Sequence, residues 1–589
     1  MNKSKFDSFE DKTIFVKGSN QEITPWDRTK IIAILMDESG LPFSVAEKIA
    51  EDVQKIVFSS NLKTVSSSLL RELVNSKLIE YGYSKILNKT RRLGLSTSDV
   101  KEVISNAMPY KTYAPVSPML SSNYIAETVK RQFSAFNIFP EKIVNLHYEG
   151  KIHINGINGI DRLYSVALDV SKLLTFKYAG DNFFVNKPNN VKDFFENLIK
   201  TLLFLNNFVN SSIFIFGIEK VFKYFKVTEE GADFFIDFLK HVESLFLSDK
   251  PLKIFLKDKN LMVKAARFYS QNFCLKSEIA TKKASYVPSR NISISDSFVD
   301  NSYFVMENVT LNLPGIALQA KLKSKDFFKE LKTYLESAFI VFGKKGIFIE
   351  KMLMTKGQSV LDFLKKLGFN PLASYNTISI CGLQECISLL KEKHKFNGED
   401  LTFANDIFVF LKESIENLKE KYKFNVLISD SDQTDTAYRF ARLDLKFEPY
   451  YIGKVVKGDI SYGGIFYSHN ASFLSNPYFD IYEAIDVEEN LKKYFDFPFK
   501  TVVKLLDFDN VKISLRDRGY RYLMLTQDFS VCYHCTVMKS GIYKSCPECL
   551  SDEVFNYFYL YSNYAPFSKL NRGLRVMMDN IVYYEEFTI

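Results

Sequence analysis

Apolar residues near the start of the chain follow two periods in succession. Thr13-Ile14-Phe15-Val16-Lys17 alternates, Gly18-Ser19-Asn20 is turn chemistry, and Glu22-Ile23-Thr24 returns, which predicts a hairpin over residues 13–26. The period then lengthens to that of a helix. Asp27 can cap a segment carrying Ile31, Ile34 and Leu35, and Ala46, Ile49, Ala50, Val53 and Val57 recur on one helical stripe. A third helix carrying Leu70, Leu73, Val74 and Leu78 follows Ser67 and Ser68. A hairpin plus helices within residues 1–106 makes a compact module.

Pro109, Pro115 and Pro118 mark residues 107–122 as a linker. From 123 to 525, long helical segments alternate with short apolar runs. DFFENLIKTLLFLNNF, GADFFIDFLKHVESLFL and DFFKELKTYLESAFIVFG read as helices, and NVTLNL, NTISIC and NVLISD as strands. That alternation predicts an α/β core whose strands are buried on both faces. Residues 526–589 form a separate unit.

Composition narrows the class of protein more than its task. At 589 residues, a prior of about 150 per domain allows roughly four domains. The hydrophobic fraction of 46% and charged fraction of 25% exclude a disordered chain. A net charge of +8 without basic clustering gives no reason to expect nucleic acid. Phe (54) and Tyr (33) dominate over one Trp, which reads as compositional drift. The polar start MNKSKFDSFEDK and the lack of an apolar run of about 18 residues lead us to expect a soluble, cytoplasmic protein.

Of seven cysteines, four fall in one window as Cys532-Tyr-His-Cys535 and Cys546-Pro-Glu-Cys549. Two such knuckles let four thiolates converge on Zn²⁺ and leave no open position, so the expected role is structural. Disulfides are the alternative, disfavoured by the expected compartment. His534 is expected to face solvent, and Cys381 and Cys386 to pack as small hydrophobes.

FVKGSNQEITPWDRTKIIAIL, with Lys89-Thr90-Arg91-Arg92 after it, resembles the ATP-cone, the regulatory nucleotide-binding domain of ribonucleotide reductases. Lys17, Asp27, Lys30 and Ile31 match its motif, and Trp26 takes a Phe place. Gly18, Ser19 and Asn20 replace its Arg, Asp/Asn and Gly, removing one phosphate contact. The resemblance implies ATP or dATP as an allosteric ligand, held by Val16, Lys17, Lys30 and Arg91 or Arg92. Val309-Thr-Leu-Asn-Leu-Pro-Gly-Ile-Ala317, Asn376-Thr-Ile-Ser-Ile-Cys-Gly-Leu-Gln-Glu385, Thr436-Ala-Tyr-Arg-Phe-Ala-Arg-Leu-Asp444 and His147-Tyr-Glu-Gly-Lys-Ile-His153 are similar to successive segments of class III (anaerobic, glycyl-radical) reductases. Together they imply a ten-stranded α/β barrel behind an ATP-cone and before a zinc ribbon-like unit. They also imply a homodimer and reduction of ribonucleoside triphosphates, with a radical-SAM activase as partner only if the chain is an active reductase.

The residues that such chemistry needs are replaced. Pro566, Ser568, Asn571 and Gly573 set the register of the glycyl-radical loop and put Ser562 at the radical glycine and Tyr559 at its arginine. Ser289 stands for the finger-loop cysteine, and Tyr164-Ser165 for the pair holding the second cysteine. His153-Ile-Asn155-Gly156 lacks the second His and the Asp of the family's HIHD, and Ser431-Asp-Gln-Thr-Asp435 loses a proline and a glutamate. Asp430 and Asp432 read as solvated turn residues, and His469 as a surface or satisfied core residue. Gly573 matches a second, structural glycine. We therefore expect a reductase homologue without radical catalysis, acting by binding nucleotides or by pairing with itself or an active reductase. An active reductase is one alternative. A nucleotide-responsive regulator of reductase expression is another, though roughly 430 residues separate cone from zinc site and no basic stripe accompanies it.

Overall fold

A computed structural model describes residues 14–17, 23–60, 62, 64–83, 93–94, 100, 103–104, 118–180, 183–227, 231–245, 252–258, 261, 264, 286–288, 292–295, 302–354, 362–396, 398–431, 433–474, 476–496, 501–504, 512–514, 523–560, 564–579, 583–584 and 586–588. The chain divides into one unit of residues 1–96 with 132–137 and another of 97–131 with 138–589.

In the first unit, strands Phe15–Lys17 and Ile23–Pro25 pair antiparallel as the alternation predicts. A third strand, Thr64–Ser66, runs parallel to Phe15–Lys17. At three residues it is too short to leave a period. Asp27 Oδ1 accepts from Thr29 N (2.9 Å) at the start of helix Arg28–Ser39, and Gly40 ends that helix in the left-handed region (φ 66°) that glycine adopts without strain. Helices Phe43–Ser59 and Ser67–Glu80 follow, the latter capped by Ser66 rather than Ser67 or Ser68. Ala46, Ile49, Ala50, Val53 and Val57 are all buried, as are Ile31 and Leu35. Ile34, expected in the same stripe, is 42% exposed, and Ile32 packs inward in its place.

The second unit is built on a nine-stranded mixed sheet among the described residues. Strands Ser165–Asp169, Ile213–Phe216, Leu252–Phe255 and Ile292–Ser295 run parallel in that order. Strands Tyr303–Asn312, Tyr375–Cys381 and Asn425–Ile428 form a second parallel set. The two sets meet antiparallel where Ala167 lies opposite Tyr303 and Ser165 opposite Val305. Strand Ile152–Ile154 continues that edge, with His153 opposite Thr310. All ten residues of Tyr303–Asn312 and all five of Ser165–Asp169 are buried, as strands covered on both faces must be. Helices Val191–Leu205 and Phe327–Met354 lie close to the expected segments. One helix, Pro118–Phe133, starts inside the segment expected to be linker; Pro118 is its first residue, where proline is tolerated. No helix of the described residues is long and apolar enough to cross a membrane.

Near the C-terminus, strands Met538–Ser540, Phe529–Cys532, Val554–Tyr559 and Tyr564–Pro566 form a four-stranded antiparallel sheet in that order.

Candidate functional site

From Asn308 on, strand Tyr303–Asn312 carries polar residues at every second position, Asn308, Thr310 and Asn312, and these share one face of the sheet. Asn308 Nδ2 donates to Thr377 Oγ1 (2.7 Å) and Ser379 Oγ (2.9 Å), both on the adjoining strand. Asn155 Nδ2 donates to Asn308 Oδ1 (2.6 Å) and Thr310 Oγ1 (3.0 Å). Gln433 Nε2 donates to Ile380 O (2.6 Å) and Asn470 Oδ1 (2.8 Å), and Asn470 N returns a bond to Gln433 Oε1 (2.9 Å). The buried amides and hydroxyls thus satisfy one another, which makes the network rigid. The strands were read as apolar runs. The signal that could have found this face is the alternation Asn308, Thr310, Asn312 and Thr377, Ser379, Cys381.

At the end of the same strand, Asn312 Nδ2 donates to Asp444 Oδ2 (2.7 Å) and Gly150 O (2.7 Å). Lys151 Nζ pairs with Asp444 Oδ1 (3.2 Å), and Tyr467 OH donates to Oδ2 (3.1 Å). Burial raises the Asp444 carboxyl above its ordinary value, against the pull of Lys151 and these two donors. Glu385 accepts from Ser468 N (3.0 Å) and Ser468 Oγ (2.6 Å), and Cys381, fully buried, donates to Ser468 O (3.6 Å). Burial pushes the Cys381 thiol well up, and Cys386 is fully buried too. Both pack as expected for small apolar groups.

Glu307 and Lys345 form an ion pair (3.0 Å) whose side chains are wholly buried. A β-bulge between Val305 and Asn308 re-aims Glu307 so that its Oε1 accepts from Asn308 N (2.8 Å) and Gly156 N (2.8 Å). A Cβ at Gly156 would lie 2.5 Å from Glu307 Oε2. The carboxylate therefore occupies the space beside Gly156, which stands at the aspartate position of the HIHD motif that this segment resembles.

His147 is fully enclosed, and its Nδ1 accepts from Ile154 N (3.2 Å). Burial, and next the charge of Arg439, hold its pKa well below the ordinary value. The unfolded chain takes up a proton near pH 6.5 that the folded chain refuses, so stability falls as pH drops below that point. We expect His147→Gln to flatten the acid limb of the stability curve by up to about 1.4 kcal/mol per pH unit, read by urea melts from pH 7 to 5. An unchanged slope would show that the imidazole ionises freely.

The remaining expected residues fall as follows. Val16 and Lys17 lie on the central strand of the first unit's sheet, and Lys30 is exposed in the first turn of the following helix. Arg91, Arg92, Ser289, Ser562, Cys274 and Asp432 lie outside the described residues, although strands Tyr286–Pro288 and Ile292–Ser295 flank Ser289. Ser165 opens a buried strand, and Tyr559 is buried. Gly573 lies in helix Arg572–Asp579, where a Cβ would meet Ile465 O at 2.5 Å and Tyr438 at 2.7 Å. That is a packing requirement for glycine.

The four cysteines converge as their spacing predicts. Their sulfurs all lie within 4.8 Å of one another. Cys532 Sγ is 3.5 Å from Cys549 Sγ and Cys535 Sγ is 3.6 Å from Cys546 Sγ, too far for a disulfide but near the ~3.8 Å edge of a tetrahedron with ~2.3 Å metal–sulfur bonds. The two knuckles share one backbone pattern. Cys532 N donates to Val537 O (3.0 Å) and Cys546 N to Ser551 O (2.8 Å), and the residue after each knuckle, Thr536 (φ 58°) and Leu550 (φ 61°), is left-handed. The backbone N–H of Cys549, with that of Glu548, holds the Cys546 thiol down at about 6. The cluster can hold a metal such as zinc.

Residues 246–559, just over half of the chain, match the family model described as anaerobic ribonucleoside-triphosphate reductase. No curated protein matches the chain. Among solved structures, an anaerobic ribonucleotide reductase is 14% identical with a TM-score of 0.62, over 89% of this chain and 99% of its own. The anaerobic ribonucleotide reductase from Thermotoga maritima with dATP bound in the specificity site is 13% identical, TM-score 0.62, over 89% and 99%. The same enzyme in complex with dATP and CTP is 13% identical, TM-score 0.61, over 84% and 96%. At such identity the likeness carries the fold: a mixed α/β architecture of the reductase type.

Proposed function

The chain belongs to the anaerobic ribonucleoside-triphosphate reductase family, and from that premise we propose that it is a member that binds nucleotides and keeps the reductase scaffold without performing the radical reduction. The observation that carries this reading is the set of replacements, Ser289 and Ser165 for the two cysteines and Ser562 for the radical glycine. A serine O–H bond is much stronger than a thiol S–H, so a carbon-centred radical does not abstract from it. A side chain at 562 crowds the planar α-carbon that stabilises a glycyl radical. Gly573 offers no substitute, because it is enclosed in a helix by Ile465 and Tyr438. The described cysteines outside the cluster, Cys381 and Cys386, are wholly buried.

On this reading residues 1–106 are an ATP-cone that takes ATP or dATP, with Lys17, Lys30 and Arg91 or Arg92 on the phosphates and Val16 beside them. Residues 123–525 close into the ten-stranded barrel, and 526–589 carry zinc on Cys532, Cys535, Cys546 and Cys549. Bound zinc would supply a cross-link and no catalysis, since four thiolates complete its coordination. The scaffold acts as a homodimer or pairs with an active reductase.

Incubated anaerobically with a radical-SAM activase and a ribonucleoside triphosphate, the protein is expected to give no glycyl doublet in electron paramagnetic resonance and no deoxynucleotide. A doublet or product formation above the no-activase control would overturn the reading. Calorimetry with ATP and dATP tests the cone separately.

A further inference from the structure

Three helices of the second unit end at one place on the surface. Lys321, in the last turn of helix Leu313–Leu322, donates through Nζ to Leu389 O (3.2 Å) and pairs with Glu392 (2.5 Å), both at the end of helix Leu383–Lys391. The same ammonium lies 5.7 Å from the ring centre of Tyr451, in the short helix Pro449–Ile452. The rings of Tyr450 and Tyr451 are 5.2 Å apart, and Lys454 Nζ lies 3.9 Å from the Tyr450 ring centre. These distances run without a break from one helix end to the next.

The three ends carry more positive charge than capping needs. Residues 321–326, 391–395 and 446–454 hold eight lysines against three acidic residues, Asp326, Glu392 and Glu448, an excess of five in a chain whose whole excess is eight. A lysine in the last turn answers the helix dipole, which accounts for Lys321 and Lys391. Lys323, Lys393 and Lys395 lie past the last turn, where that effect fades. Asp400 engages Lys393 (2.7 Å), but Lys323, Lys391 and Lys395 have no ion-pair partner among the described residues, and all three are exposed. Rings stand among these charges: Tyr450 is 67% exposed, and Phe447, at the end of helix Thr434–Phe447, is 56% exposed. The lysines come from segments far apart along the chain, so folding alone gathers them.

We propose that these helix ends form a surface for single-stranded nucleic acid, with phosphates on Lys323, Lys391, Lys395 and Lys454 and bases against Tyr450 and Phe447. Flexible ammonium groups meet phosphates as point charges that need no fixed geometry, and exposed rings offer faces to unstacked bases. An acidic peptide would answer the lysines but bring no flat partner for the rings, and a duplex keeps its bases stacked on one another. The surface uses no residue of the cone or of the cysteine cluster, so it stands or falls apart from the reading above.

Fluorescence anisotropy of the full-length protein with a labelled single strand of roughly 20 nucleotides tests this. Binding at about 50 mM salt is expected, with log affinity falling against log salt at a slope of about −2 to −3. Lys323→Glu/Lys391→Glu/Lys395→Glu is expected to weaken it at least tenfold. Lys187→Glu/Lys192→Glu/Lys200→Glu, an equal change of net charge at other exposed lysines, is expected to leave it within about twofold. Tyr450→Ala is expected to weaken it about fivefold or more, and Tyr450→Phe, which keeps the ring, to retain it. Thermal midpoints check that each variant folds. No binding at low salt, unchanged affinity in the folded first triple variant, or an equal loss in both triple variants would overturn the surface. Displacement of the strand by stoichiometric ATP would overturn it too, by placing the strand at a nucleotide site. Displacement by polyglutamate together with a neutral Tyr450→Ala would assign the surface to acidic protein segments instead.

Discussion

Lys345→Met is expected to lower the unfolding free energy by about 3–5 kcal/mol, because it strands the Glu307 carboxylate without its cation in a site with no exposure on either side chain. The loss comes from the charge left behind more than from the pair itself. Glu307 would still accept from Asn308 N and Gly156 N, which limits the cost but does not neutralise it. Pairing the change with Glu307→Gln should recover most of the loss, since a neutral amide keeps an acceptor for those N–H groups and needs no counter-ion. Urea melts of the two single variants and the double variant measure this directly. If Lys345→Met costs less than about 1 kcal/mol, water reaches the carboxylate and the pair is not dry. Gly156→Ala should be destabilising at the same place, as its Cβ would push into Glu307 Oε2.

Cys546→Ser is expected to abolish stoichiometric metal and to loosen the four-stranded C-terminal sheet. Structural zinc contributes on the order of 10–16 kcal/mol in small zinc-finger peptides, so a lost ligand here outweighs any packing change nearby. Thr536 and Leu550 are both left-handed, a conformation that costs about 1–2 kcal/mol each for ordinary residues and that bound metal would offset. Metal analysis should fall from one zinc per chain to background. Limited proteolysis should then cut between residues 530 and 560 before it cuts the helices of the first unit. A variant that loses metal yet resists protease as the wild type does would mean that the knuckle hydrogen bonds hold the hairpins unaided.

Much of this architecture was legible because it rests on periods that one segment reveals by itself. The stripe Ala46, Ile49, Ala50, Val53, Val57 and the hairpin at 15–25 are local, and the cysteine spacing carries its own geometry. Thr64–Ser66 was missed because three residues cannot show a period, and Pro118 misled because proline also begins helices. The Glu307–Lys345 pair and the network through Asn308, Gln433 and Asn470 were out of reach for another reason. Their members lie on separate elements, so only the folded sheet brings them together. Asn308 is an instance: within its strand it is one of three alternating polar residues, and its meaning depends on Thr377, Ser379 and Asn155.

The meeting of two parallel sets along Tyr303–Asn312 also bears on synthesis. Asn155 must wait for Asn308, 153 residues later, and Asn308 for Thr377, 69 residues further on. At about 5–20 residues per second, the first of these gaps takes roughly 8–30 s to translate. During that interval strand Ser165–Asp169, buried throughout in the finished protein, has an unpaired edge. The ribosome therefore releases an adhesive half-sheet well before its partner exists, and high yield on expression should depend on chaperones that cover that edge.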